Sequence, residues 1–125
     1  MQDIIRTPNA PNPIGPYSQA IRAGGLIFVS GQIPLNPATG QVVEGGISIQ
    51  TRQVIENLKA ILDAAGSSLE KVVKTSVFLT DLDDFSGMNH LYQEYFDEIK
   101  PARTTAQVTR LPRGVLVEID AVALA

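Results

Sequence analysis

The chain has 125 residues and a mass of 13.4 kDa, with 44% hydrophobic residues, 18% charged residues and a net charge of −3. Folding at this size removes about two thirds of the unfolded chain's surface from water, enough for one core and too little for two, so a single domain over residues 1–125 is expected. The absence of cysteine excludes a disulfide framework, a thiolate nucleophile and a cysteine-held metal, and the lone His90 excludes a histidine acid/base pair.

Charge is segregated along the chain. Asp81, Asp83, Asp84, Glu94, Asp97 and Glu98 fall in one stretch without a base, and Lys100, Arg103, Arg110 and Arg113 follow in a stretch without an acid. The second stretch suits a small anion, whereas nucleic acid calls for a broader basic face than ten scattered Lys and Arg provide. No apolar run approaches the length of a membrane span and the first residues carry no export signal, so a cytoplasmic location is expected.

Asp3 to Thr7 reads as a short strand, followed by an extended loop rich in proline (Pro8, Pro11, Pro13, Pro16). Tyr17 to Arg22 and Leu26 to Ser30 read as strands joined by the turn Ala23-Gly24-Gly25, and Asn36 to Gly40 as a second turn leading to a short strand at Gln41 to Val43. The apolar spacing of Val54, Ile55, Leu58, Ile61 and Leu62 predicts a helix from about Ser48 to Ala65, stopped by Gly66.

Val72 to Thr80 alternates as a strand with Val73, Thr75, Val77 and Leu79 on one face. The acids at 81, 83 and 84 suit the start of a second helix, which buries Phe85, Met88, Asn89, Tyr92, Phe96 and Ile99, turns His90 outward and ends at Pro101. Thr104 to Arg110 and Val115 to Leu124 are expected to pair as a hairpin around Leu111-Pro112-Arg113-Gly114. The order β-β-(β)-α-β-α-β-β makes a mixed sheet with both helices on one face. In the last strand Val115, Val117, Ile119, Ala121 and Ala123 form an apolar side; the other side mixes Leu116, Val122 and Leu124 with Glu118 and Asp120, and its apolar residues call for a partner subunit.

Several residues invite a functional reading beside a plainer one. Arg103, at the start of a strand, has the planar fork that holds a carboxylate bidentately, and would equally offset the end of the preceding helix. Glu118, flanked by apolar neighbours, suits a general acid/base of raised pKa, or a sheet-face charge that discourages aggregation. Tyr17 and Ser30 sit at strand ends as ligand orienters or structural hydrogen bonders. Gly31 allows a ligand close to the backbone, or marks a bulge. The paired glycines at 24–25 and 45–46 fit no nucleotide-binding pattern.

Taken together, Gly15-Pro16-Tyr17-Ser18-Gln19-Ala20, Ser30-Gly31-Gln32-Ile33-Pro34, Gln50-Thr51-Arg52-Gln53, Asn57 to Leu62, Lys74 to Leu79, Pro101-Ala102-Arg103 and Val117-Glu118-Ile119 resemble the RidA (YjgF-type) enamine/imine deaminase family, in order and over nearly the whole chain. The resemblance implies a chorismate-mutase-like α+β fold and a homotrimer with a site at each subunit interface. It also implies hydrolysis of reactive 2-enamino/2-imino acids, such as 2-iminopropanoate and 2-iminobutanoate, to 2-oxo acids and ammonia, with no cofactor or metal. By the same resemblance Arg103 binds the substrate carboxylate, Glu118 is the acid/base, and Tyr17, Ser30, Gly31 and Thr105 contact the ligand. Thr105 stands where many members carry cysteine. The competing readings are a 2-oxo acid sensing module without turnover and a ribonuclease or translation inhibitor; a pI near 5.0 and the lack of a histidine pair disfavour the latter.

Overall fold

A computed structural model describes residues 3–125. It contains one six-stranded mixed sheet with two helices on one face, the architecture the sequence predicts. The strands are β1 (Asp3–Ile5), β2 (Ala20–Ala23), β3 (Leu26–Gln32), β4 (Val72–Leu79), β5 (Ala102–Gln107) and β6 (Val117–Leu124), and the helices are α1 (Ile47–Ala64) and α2 (Phe85–Phe96). Across the sheet they run β1-β2-β3-β6-β4-β5, with only β4 and β5 parallel among hydrogen-bonded neighbours. Each helix crosses between strands that point the same way, β3 to β4 and β4 to β5, and two right-handed crossovers in one direction put both helices on one side.

Several local expectations are corrected. The last two strands do not form a hairpin: β6 inserts between β3 and β4, and β5 pairs with β4 at the edge of the sheet. The segment at Gln41 to Val43 is only a single bridge, Leu35 with Val42. Tyr17 to Gln19 lies outside β2. Val72, not Val73, enters the core, because a register shift between Val72 and Lys74 turns Val73 out to solvent. Leu91 is buried in α2, whereas Phe85 and Asn89 are only half-buried; the helix ends at Phe96 and not at Pro101, leaving Ile99 half-buried beyond it, and His90 is exposed as expected.

The core lies between the sheet and the helices. Val54, Ile55, Leu58, Ile61 and Leu62 of α1 and Met88, Tyr92 and Phe96 of α2 pack on Ile27, Val29, Val77, Leu79 and the odd-numbered residues 117–123. Gly66, at φ 78°, closes α1 with a left-handed turn in which its own N–H reaches the Asp63 carbonyl and the Ser67 N–H reaches Leu62. Lys100, before Pro101, has left the right-handed helical region at φ 49°. No helix among the described residues is long and apolar enough to cross a membrane.

Candidate functional site

The proline-rich loop is tied down by one side chain. Buried Gln19 accepts from the Thr7 N–H at 2.7 Å and donates to the carbonyls of Thr7, Ala10 and Pro11. A loop with few backbone partners of its own thereby acquires a fixed path, and Tyr17 is held at its end, 55% exposed. Ser30 joins this loop to the sheet: its hydroxyl donates to the Ser18 carbonyl at 2.6 Å and its N–H to the Gln19 carbonyl at 2.9 Å. The β3–β6 register shifts between Val29 and Gln32, so Ser30 and Gly31 occupy an irregularity that turns Gly31 toward Glu118 on β6. Gly31 is therefore both a bulge residue and a point of close approach.

Glu118 lies on the face of the sheet away from the helices, half-buried, with no hydrogen bond or ion pair among the described residues. Its carboxyl pKa is raised, chiefly by burial and further by the like charge of Asp120 on the same face. Gly31 also lines a cleft of about 340 Å³ together with Tyr17, Ile33, Leu35, Pro112 and Arg113. Gly31 thus lies against Glu118, Ser30 precedes it in the chain, and Tyr17 shares the lining of the cleft with Gly31.

Arg103 and Thr105 do not join these residues. Arg103 pairs in register with buried Thr75 of β4 and turns toward the helices, whereas Glu118 pairs with Phe78 and faces the other way. The two sites of pairing lie two strands and three residues apart, roughly 10 Å across the sheet and roughly 10 Å along it, on opposite faces. No small molecule reaches both side chains within one protomer.

Arg103 has an environment of its own. Its Nη1 donates to Asn89 Oδ1 at 2.7 Å, and its guanidinium carbon lies 4.7 Å from the Tyr92 ring centroid and 5.5 Å from that of Phe85. No carboxylate pairs with it among the described residues. A half-buried guanidinium with only an amide and two aromatic faces keeps its full charge and most of its donors for an anion. Asn89, by accepting from Arg103, ties α2 to β5. Phe85, Asn89 and Tyr92 are partners of Arg103 that sequence reasoning placed only in the core; their i, i+4, i+7 spacing on α2 was the available signal.

The α+β domain thus presents two separate clusters, a carboxylate on the open sheet face and an unpaired arginine at the β5 edge. The family model described as Endoribonuclease L-PSP matches residues 7–125. A RutC family protein of Pyrococcus horikoshii is 58% identical, covering 98% of this chain and 98% of its own length. The 2-iminobutanoate/2-iminopropanoate deaminase of Mus musculus is 46% identical, covering 99% of this chain and 92% of its own. The crystal structure of RidA from the Antarctic bacterium Psychrobacter sp. matches with a TM-score of 0.94 at 43% identity, covering 98% of this chain and 99% of that one. The chain belongs to the RidA (YjgF-type) family and has its fold.

Proposed function

We propose that the protein hydrolyses small 2-imino acids and their 2-enamino tautomers to 2-oxo acids and ammonia, at a site assembled from Arg103 and Thr105 of one protomer and Glu118, Gly31, Ser30 and Tyr17 of another. The observation that carries this reading is the unpaired, half-buried Arg103, a charge prepared for a carboxylate. The name of the mouse relative supports the chemistry.

Arg103 fixes the substrate carboxylate, which sets the neighbouring C=N carbon against Glu118 and the Gly31 backbone of the second protomer. Positioning supplies most of the rate. Glu118, as the carboxylate, takes a proton from water as its oxygen bonds to the iminium carbon, giving a tetrahedral aminohydrin. The same carboxyl group returns that proton to the nitrogen; the C–N bond then breaks, ammonia leaves, and the Glu118 carboxylate accepts the hydroxyl proton as the hydroxyl becomes the keto group, passing that proton to the departing ammonia as ammonium. Burial that raises the Glu118 pKa suits both halves of this exchange. Thr105 contributes contact only, and the reaction calls for no covalent nucleophile, cofactor or metal.

A homotrimer is the assembly we propose. Ile4, Ile21, Phe28 and Val122 form a cross-strand apolar row on the open sheet face, and Ile4 and Phe28 are exposed in the single protomer. A second copy covers such a face and brings Glu118 to an interface. The family model's description names an endoribonuclease; the exposed position of the only histidine, His90, and a pI near 5.0 do not favour that chemistry here.

Complementation tests the divided site. Arg103→Ala and Glu118→Gln, each inactive, are unfolded, mixed in equal amounts and refolded, with 2-iminobutanoate generated in the assay and ammonia release followed. Random assembly puts an intact arginine opposite an intact glutamate at about a quarter of interfaces, so about a quarter of parental activity returns. Absence of any recovery from correctly assembled mixtures overturns the two-protomer site.

A further inference from the structure

Arg103 is the end of a closed loop of contacts. Its strand neighbour in register is Thr75, which is fully buried in β4. The Thr75 hydroxyl bonds the Tyr92 hydroxyl at 2.7 Å, and the Tyr92 ring returns to Arg103 at 4.7 Å. That ring is 6% exposed and rests on Phe96 with centroids 4.5 Å apart, so its own position is fixed from behind. Phe85 adds a second ring at 5.5 Å, and Asn89 accepts from Nη1.

We propose that Tyr92, anchored by Thr75, is a positioning residue that fixes the plane of the Arg103 guanidinium before substrate arrives, leaving Nε and Nη2 to receive a carboxylate. An arginine in free rotation loses rotamer freedom on binding, and two hydrogen bonds to a carboxylate form only when the fork is coplanar with it. Holding the fork in advance removes that loss. Asn89 serves the same end from the side, since a neutral acceptor occupies Nη1 without cancelling the charge that a carboxylate acid would cancel. The inference rests on the imine-hydrolase reading for the identity of the anion, and on contacts within one protomer for the positioning.

The test uses the full ¹⁵N-labelled protein and two readouts. The Arg103 Nε–Hε signal, identified by its loss in Arg103→Lys, is expected upfield of free arginine because two ring faces lie against it. In Tyr92→Leu that signal moves to the free position, and 2-oxobutanoate, titrated by calorimetry, binds about tenfold more weakly while circular dichroism shows a folded chain. Tyr92→Phe keeps the ring but loses the Thr75 anchor, and is expected to fall between the parent and Tyr92→Leu in both the shift and the affinity. Phe85→Leu, which removes the outer ring, gives a smaller loss of the same sign and serves if Tyr92→Leu does not fold. An Arg103 signal or a 2-oxobutanoate affinity unchanged in folded Tyr92→Leu overturns the positioning role. A parent protein with a ring-shifted Arg103 signal that binds no 2-oxobutanoate instead overturns the proposed function and leaves the guanidinium platform standing.

Discussion

A methyl group added to Gly31 would place its carbon 2.5 Å from Glu118 Oε2 and 2.9 Å from Glu118 Cδ. The atoms it meets are the far end of a flexible side chain, and the Gly31 backbone needs no left-handed conformation. Gly31→Ala is therefore expected to fold with near-parental stability while pushing the carboxyl group aside. A displacement of this size costs about 10²-fold in turnover if Glu118 handles the proton. Thermal melting together with single-turnover imine hydrolysis checks it; parental rates in Gly31→Ala would show that the placement of Glu118 does not matter.

Glu118→Gln is expected to assemble and bind 2-oxobutanoate but to hydrolyse imines about 10²–10⁴-fold more slowly. Parental kcat/KM should fall as pH drops through the Glu118 pKa, at a midpoint above the ordinary glutamate value of about 4.3. Stability changes in the opposite direction. A carboxyl group whose pKa is raised by folding binds its proton more readily in the folded state, so the folded state loses stability as pH rises through that window. Glu118→Gln should then melt higher than the parent at neutral pH, and the difference should vanish below about pH 4. Equal melting temperatures at both pH values would mean that burial of this charge carries no cost.

For Arg103→Ala, loss of both turnover and 2-oxo acid binding is expected, because a charged bidentate contact is worth roughly 1.5–3 kcal/mol and orients the substrate. Arg103→Lys should recover little, since an ammonium neither reproduces the fork nor spreads over the Tyr92 ring as a planar guanidinium does. Thr105→Ala, on the same strand face, should be mild beside them. Calorimetry with 2-oxobutanoate decides, and tight binding by Arg103→Ala would remove Arg103 from the site. A parent that binds 2-oxobutanoate but releases no ammonia from imines would be a sensing module and not a hydrolase.

Phe28→Asp places a charge in the middle of the apolar row formed with Ile21 and Val122. Light scattering should show the parent at three times 13.4 kDa and this variant at the protomer mass. If the site is divided between protomers as proposed, activity should disappear with the assembly. An active monomeric Phe28→Asp protein would contradict the divided site directly.

Patterns that repeat along one segment were legible in the sequence. The alternation of Val117, Ile119, Ala121 and Ala123 against Glu118, Asp120 and Val122 gave both faces of β6 correctly, and the helical stripe of α1 was placed within a residue at each end. Pairing between distant segments was not legible. Nothing in Thr104 to Leu124 distinguishes a hairpin from a strand that leaves to insert elsewhere, because the choice depends on the free edges of β3 and β4. At Val72 and Val73 two equal side chains compete for one buried position, and the local bulge decides between them.

The sequence named candidate residues but not their arrangement. Arg103 sits in Ala102 to Gln107, whose mixed small and polar residues carry no alternation to say which side faces the helices. Glu118 belongs to a strand that does. The structure supplies what was missing, that the two lie on opposite faces, and adds Tyr92 and Thr75 behind the arginine. Gln19 was seen only as part of a motif; a glutamine beside a loop with few backbone partners was the clue to its role.

The strand that comes last in the chain is the one the rest of the sheet is built around. In the folded sheet β6 fills the one-strand gap between β3 and β4 and supplies the apolar centre of the floor beneath α1. The β1-β2-β3 hairpins and the β4-α2-β5 unit are built from contacts close in sequence, whereas β6 pairs with strands far from it in the chain. The inner edges of β3 and β4 thus depend for their pairing on the strand most distant in sequence from β3, and without it both edges would be open to pairing with another chain.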